Sequence, residues 1–299
     1  MMYAYYPGCS LTESASEFDV STRLVMAGLG SDLREIEDWT CCGASAVDSV
    51  SRLLSYSLPA RNLVLSQQQM PGADVLVPCS ACYLNHLRVT QEVQHDKELA
   101  AQLDEILDIE GMHYEFTGRV RHLLDVLLND FGEDNIRQSV SHPMEGLVIA
   151  PYYGCQILRP YPVFDDPERP CSMEPVIRAM GAQSLDWDQA GKCCGASLMA
   201  TKRKAALVSV NRILDAAADA DVIATVCPMC QMNLEAYQRE ASRAGGHRQE
   251  VPVLYLPQIM GLAMGMSASA MRLGTNLTMT TRLEEILFAG AAAAATEPA

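Results

Sequence analysis

Cys41-Cys42-Gly43-Ala44-Ser45 recurs word for word as Cys193-Cys194-Gly195-Ala196-Ser197, and the rest of the chain is ordered around that repeat. Thirty-one residues separate Cys9 from the first pair, and thirty-six more lead to Cys79-x-x-Cys82. In the second copy 37 residues separate Cys155 from Cys193, and 32 lead to Cys227-x-x-Cys230. Ten of the eleven cysteines fall into these two sets, and only Cys171 stands outside. Neighbouring residues repeat with them. Tyr-Pro-Gly-Cys at 6–9 answers Tyr-Gly-Cys at 153–155, and Asn85 and Asn233 each follow the last cysteine of their set by three positions. The pattern is a duplicated metal-binding domain.

Disulfides are disfavoured for these cysteines. Adjacent cysteines bridge poorly, and a chain of this size has no need of staples. No charged region followed by an apolar core opens the sequence, so a reducing cytoplasm is the expected compartment. Structural zinc takes four ligands in short pairs, whereas each set here offers five thiols. Thiolates in that number suit iron–sulfur clusters. The Cys-x2-Cys-x2-Cys-x3-Cys-Pro run of ferredoxin cubanes is absent.

The spacing Cys-x31–39-Cys-Cys-x35–36-Cys-x2-Cys, with glycine after the vicinal pair, resembles the CCG domain. Two copies without an attached ferredoxin region resemble the B subunit of heterodisulfide reductase, and more closely its bacterial relatives. The resemblance runs from Tyr5 to about Gly265; the 32-residue gap of the second copy falls a little short of the family range. It implies two noncubane [4Fe–4S] clusters, one held by Cys9, Cys41, Cys42, Cys79 and Cys82, the other by Cys155, Cys193, Cys194, Cys227 and Cys230. It further implies a disulfide or thiol substrate handled between the clusters, a ferredoxin-like C-type subunit and a flavin-containing A-type subunit. The substrate class that follows is a sulfur compound such as one handled in sulfur oxidation. The alternative is an electron-transfer subunit with no substrate of its own. Similar two-copy proteins relay electrons from flavoprotein dehydrogenases of the succinate, lactate or glycolate type toward quinone. A structural zinc or scaffold subunit is a third reading.

Composition agrees with a two-domain protein. A chain of 299 residues with 49% hydrophobic content can bury two cores. Its formal charge of −15 argues against nucleic acid as a partner. The longest apolar stretch, Ile259 to Met271, is too short to span a bilayer, so no direct membrane insertion is expected. No dinucleotide or Walker A loop is present, which places flavin and nicotinamide on another subunit.

The rhythm of strand, loop and helix predicts an α/β fold of two duplicated Rossmann-like domains, with parallel sheets and cluster-binding loops at the strand ends. The domains are expected at 1–140 and 141–285, with a disordered tail over 286–299. Helices are expected over Ser16–Leu29, from Val47 to about Gln69 with a kink or split at Pro59, over Pro175–Met180, and over Gly195–Ala218. Short strands are expected at Ala4–Tyr6, Leu33–Ile36, Val75–Pro78, Leu147–Ala150, Asp221–Val226 and Val253–Leu256. The stretch Gln94–Arg121 reads as polar and exposed. Gly43 and Gly195 are placed where the backbone must turn tightly.

Other residues are weighed against plainer roles. His86 could give a proton to a thiolate product, against a role in packing. Lys192 and Arg159 could stabilise thiolates or meet an acidic substrate, against simple surface placement. Tyr6, Tyr152 and Tyr153 could wall the pocket or fill the core. Cys171 is read as a nonligand thiol.

Overall fold

The computed structural model describes residues 1–44, 46–245 and 250–294. It contains two four-stranded parallel sheets. In the first, β1 (Met2–Tyr5), β2 (Asp32–Glu35), β3 (Val75–Val77) and β4 (Val120–His122) lie in the order β2-β1-β3-β4. In the second, β5 (Val148–Tyr152), β6 (Gln183–Ser184), β7 (Val222–Thr225) and β8 (Val253–Tyr255) lie in the order β6-β5-β7-β8. The two orders are identical, strand for strand, which is the duplication seen in the cysteines. Consecutive strands leave the centre in opposite directions, opening a crevice at the carboxyl ends of β1 and β3, and of β5 and β7. Cys9, Cys41 and Cys79 follow β1, β2 and β3; Cys155, Cys193 and Cys227 follow β5, β6 and β7.

Four expectations need correction. The helix Arg52–Gln69 runs through Pro59, and the break falls earlier, where Ser51 caps the helix by accepting from the Leu54 N–H at 3.2 Å. Likewise the segment after Gly195 is a short 3-10 turn, Ala196–Leu198, followed by the helix Arg203–Ala216. The stretch Gln94–Arg121 is not simply exposed. Helix Lys97–Asp108 buries Leu99, Leu103 and Leu107 along one stripe, and β4 begins at Val120. Arg121 is tolerated inside β4 because Asp125, Asp130 (3.1 Å) and Asp74 (3.3 Å) surround its guanidinium. Finally, residues 286–294 of the expected tail belong to the helix Thr281–Ala294, seated by buried Leu283 and Leu287. Residues 295–299 lie outside the described residues.

The halves are laced together. Helix Leu256–Ala263, which follows β8, packs on Ser16–Gly28 of the first half, and Gly132–Ser139 packs on Glu174–Ala179 of the second. The N–H groups of Ser141 and His142 donate to the Ala263 carbonyl at 3.0 and 2.9 Å. Phe18 stacks on Tyr255 with centroids 4.3 Å apart and planes 2° from parallel. One hydrophobic core therefore runs through both halves.

Candidate metal centre

In the first half, Gly8 adopts φ +72°, and a Cβ there would stand 3.0 Å from the Cys82 sulfur. Only glycine lets the chain turn beside that thiol before Cys9, whose sulfur lies 3.7 Å from that of Cys41. The buried Tyr6 hydroxyl donates to the Thr40 carbonyl at 2.8 Å, which fixes the segment entering Cys41-Cys42. Asn62 reads the same residue from the other side, accepting from the Thr40 N–H at 2.8 Å and donating to its carbonyl at 2.9 Å. Asn85 donates to the Cys42 carbonyl at 2.9 Å. Cys79 stands at the N-cap of helix Ser80–Glu92, and Cys82 lies in its first turn.

The second half repeats this frame. Gly154 adopts φ +70°, and its Cβ would stand 3.1 Å from the Cys230 sulfur. Tyr152 donates to the Lys192 carbonyl at 2.7 Å, as Tyr6 does to Thr40. Asn233 donates to the Cys194 carbonyl at 2.8 Å, matching Asn85. The N–H groups of Gly43 and Gly195 each donate to the sulfur two residues back, on Cys41 at 3.4 Å and Cys193 at 3.3 Å.

Within each set the thiols touch in a string. Cys9 and Cys41 are 3.7 Å apart, Cys42 and Cys82 3.3 Å, and Cys194 and Cys230 3.7 Å. These separations are far longer than the roughly 2.05 Å of a disulfide. Thiol hydrogen bonds also couple Cys41 with Cys42, Cys79 with Cys82, Cys155 with Cys193 and Cys227 with Cys230. Each pair shares a proton unequally. Hydrogen bonds with Cys41 and Cys82 hold Cys42 well below the ordinary thiol range, and Cys155 lowers Cys193 to about 6. Cys230 likewise lowers Cys227, while their partners Cys41, Cys82, Cys155 and Cys230 are pushed up. Each set thus holds at least one thiol lowered toward the thiolate that metal binding requires, Cys42 in the first and Cys193 and Cys227 in the second. Among the described residues no three His, Cys, Asp or Glu side chains form a ready cage for one ion. Five soft donors around a glycine cradle fit a group of several irons better than a single tetrahedral ion.

The two sets meet. Ser80, which follows Cys79, donates to the carbonyl of Val226, which precedes Cys227, at 3.3 Å. A Ser80 hydrogen bond also helps lower the Cys227 thiol. Cys227 and Cys79 both act on the buried Tyr255 phenol, raising it together with desolvation and Glu17.

The remaining expected residues sit elsewhere. His86 is fully buried, with Nδ1 2.7 Å from the Cys82 carbonyl and Nε2 3.3 Å from the Asn62 amide. Burial lowers its pKa, so it is a neutral brace between Cys82 and the Asn62–Thr40 link. Arg159 donates to the Gly191 carbonyl at 3.1 Å and pairs with Glu168, and the Lys192 side chain is exposed. Both line a cavity of about 850 Å³ in the second half with Arg169, Cys171 and Trp187, and none of the ten paired thiols lines it. Tyr153 departs from Tyr152: it donates to Glu174 and accepts from the Met173 N–H at 2.7 Å. Cys171 is exposed and separate from the sets, and desolvation and nearby Asp165 push its thiol up. Sequence reasoning missed Asn62, Ser80 and Tyr255. Asn62 has one signal, a polar residue on the buried face of its helix; the other two matter only because the halves meet.

A family model for the cysteine-rich domain, CCG, matches residues 3–86 and again 149–235. The chain is 35% identical to the 8-methylmenaquinol:fumarate reductase membrane anchor subunit of Wolinella succinogenes, over 94% of this chain and 98% of that one. It is 28% identical to the B subunit of the ferredoxin:CoB-CoM heterodisulfide reductase of Methanosarcina mazei, over 90% and 91% of the two chains. A crystal structure of a hypothetical protein from Helicobacter pylori has the same fold, with a TM-score of 0.72 at 15% identity; the match covers 94% of this chain and 52% of that one. Among the described residues no helix is long and apolar enough to cross a membrane.

Proposed function

The chain belongs to the cysteine-rich CCG domain family, with two copies of the domain, and from that premise we propose that it is the iron–sulfur subunit of a reductase complex that cleaves or forms a disulfide. The ten paired cysteines are assigned as ligands of two noncubane [4Fe–4S] clusters, five to each. Such clusters, when bound, each supply or accept one electron, and together they match the two electrons of one S–S bond. The observation that carries this reading is the contact between Ser80 and Val226, which brings the Cys79 and Cys227 ends of the two sets together. The chain's own residues do the positioning. Gly8 and Gly154 let the chain pass beside the Cys82 and Cys230 sulfurs, while Cys9 meets Cys41 and Cys155 meets Cys193. Asn85 and Asn233 hold the vicinal pairs by their carbonyls. The relation to the heterodisulfide reductase of Methanosarcina mazei supports the assignment. Partner subunits of the ferredoxin-like C type and the flavin-containing A type, and a cytoplasmic setting, belong to the same proposal.

A second reading is favoured by the 35% identity to a fumarate reductase subunit along almost its whole length. In it the two sets relay electrons between a flavoprotein and quinone and meet no substrate.

The test is iron and acid-labile sulfide per chain in anaerobically purified protein, with electron paramagnetic resonance after oxidation with added thiol. About eight irons and a thiol-dependent signal are expected. About four irons would leave one set without a cluster and end the two-cluster reading, and zinc in place of iron would end the redox reading. Reduction of a small disulfide by the chemically reduced chain, with no flavoprotein present, separates the two readings: only the first expects turnover.

A further inference from the structure

The chain contains four lysines, and three of them, Lys192, Lys202 and Lys204, fall within thirteen residues around Cys193-Cys194. No Asp or Glu occurs between Asp188 and Asp215, in a chain whose formal charge is −15. Counted from the vicinal pair, the first copy has Thr40, Val50 and Arg52 at the three lysine positions. The frame common to both cysteine sets therefore does not need the lysines. Arg52, the one cation among those three, pairs with Asp96 at 3.6 Å, and Asp48 adds a carboxylate to the same turn. The duplication thus puts a basic face beside one set and a mixed, neutralised one beside the other.

Short hydrogen bonds tie the lysines to Cys193. Lys192 and Cys193 are both exposed. From there the backbone rises in tight turns: the Gly195 N–H meets the Cys193 sulfur at 3.3 Å, the Leu198 N–H the Gly195 carbonyl at 2.8 Å, and the Lys202 N–H the Leu198 carbonyl at 2.7 Å. Lys204 then opens the helix Arg203–Ala216, on which Lys204, Val208 and Arg212 form an exposed stripe at four-residue spacing. Leu198 and Val208, 39% and 49% exposed, supply apolar ground between the charges. Arg203 is taken by Glu240 at 2.8 Å. Among the described residues, by contrast, nothing partners the ammonium groups of Lys192, Lys202 and Lys204. Lys202 stands at the helix cap and Lys204 in the first turn, which holds no acid. The helix dipole favours acids there and opposes cations. Local stability therefore speaks against lysine at both positions, and the charge that would balance them is not in this part of the chain.

We propose that this face docks an acidic redox protein, which thereby meets the second cysteine set and not the first. Lysines are mobile point charges that steer and orient an oppositely charged surface, and the apolar ground among them gives that surface its contact. A redox carrier is the acidic protein that gains from lying over exposed Cys193, whereas an anionic lipid surface gains nothing from it. The inference rests on the redox reading of the two sets but not on the choice between disulfide chemistry and relay, since each exchanges electrons with another protein.

The test uses the full chain, loaded anaerobically with iron, and a fluorescently labelled plant-type [2Fe–2S] ferredoxin as the acidic probe. Anisotropy titration should show binding at low salt that weakens by about 10-fold at about 0.2 M salt. Lys202→Glu combined with Lys204→Glu should weaken binding by about 10- to 100-fold, with iron content unchanged. The urea midpoint of that variant should hold or rise, because acids suit that helix end, so loss of binding is not loss of fold. Lys97→Glu is the control: Lys97 is the fourth lysine, exposed on the first half, and its reversal should change binding by less than about twofold. Carbodiimide cross-linking, which joins lysines to carboxylates, should attach the ferredoxin through Lys192, Lys202 or Lys204 and not through Lys97. No binding at low salt, or equal weakening by Lys97→Glu, would overturn the proposal. So would equal binding of serum albumin, tighter binding of phosphatidylserine vesicles, or cross-links that join only copies of this chain. Binding at this face by a chain that cleaves no disulfide keeps the docking surface and tells against disulfide cleavage alone; cleavage without binding does the reverse.

Discussion

The Ser80 hydroxyl reaches the Val226 carbonyl at 3.3 Å, and this bond joins the residue after Cys79 to the residue before Cys227. It is a direct link between the two cysteine sets made by a single small side chain. Its position explains why the duplication is of use: each half alone builds one thiol string, and the seam brings the two strings to one place.

Ser80→Ala removes that bond and leaves the Val226 carbonyl buried. The expected loss of stability is about 1 kcal/mol, read from the midpoint of urea unfolding with the cluster content held equal. The Cys227 thiol loses a hydrogen bond that lowers it, so alkylation of the metal-free protein at Cys227 should need a higher pH. An unchanged alkylation profile would separate Ser80 from the second set.

Gly8→Ala and Gly154→Ala should each damage one set and spare the other. Alanine at φ +72° or +70° is strained by about 1–2 kcal/mol. Its Cβ would also press on Cys82 or Cys230 at 3.0 or 3.1 Å. Iron per chain is expected to fall to about half in each variant and to near zero in the double variant. Gly146→Ala is the control: φ is +81°, yet nothing stands within 4 Å of its Cβ, so the backbone strain is present without the crowding. Equal iron loss in all three variants would show that strain alone, and not the cradle, is responsible.

Asn85→Leu and Asn233→Leu strip the donors from the Cys42 and Cys194 carbonyls. A buried carbonyl left without its partner costs about 1–3 kcal/mol. The variants should unfold earlier by that amount in urea and lose iron first from their own half, followed as a change in the iron-to-sulfide ratio on dilution. Asn85→Asp has no amide N–H and should behave like the leucine variant. If it retains iron as well as the parent does, the amide is not what holds the vicinal pair.

The sequence carried more of this architecture than its short strands suggest. Two unequal gaps between cysteines map onto particular elements. The shorter second gap of the second copy is a shorter helix, 14 residues in Arg203–Ala216 against 18 in Arg52–Gln69. The longer first gap goes into the loop 156–172, which crosses to the first half, where Tyr161 donates to Glu92 at 2.6 Å and Phe164 stacks on His122. The matching asparagines were visible as a repeat before their carbonyl partners were known. β4 was not legible, because Val-Arg-His has no apolar pattern and its arginine is buried only through aspartates brought from Asp74, Asp125 and Asp130. Tyr255 was not legible either. Its surroundings come from residues 17, 79, 227 and 235, and no local pattern links them.

The contribution of Glu17 and Glu235 to stability should fall as pH rises from about 4.5 toward neutrality. Burial raises both carboxyls above the ordinary value of 4.5, and the charge of Glu17 raises Glu235 further. The folded chain therefore keeps protons that the unfolded chain has already released in that window. Where the folded state binds more protons, unfolding becomes easier with each step up in pH. Below the unfolded pKa both states are protonated and the penalty vanishes; above the folded pKa it reaches its full value. Glu17→Gln and Glu235→Gln remove the titration, so the advantage of each variant over the parent should grow from pH 4.5 to pH 7. Urea midpoints of the iron-loaded chains, compared variant against parent at each pH, cancel the acid sensitivity of the thiolates. A variant advantage that is constant across the range would mean that neither carboxyl is raised by its burial.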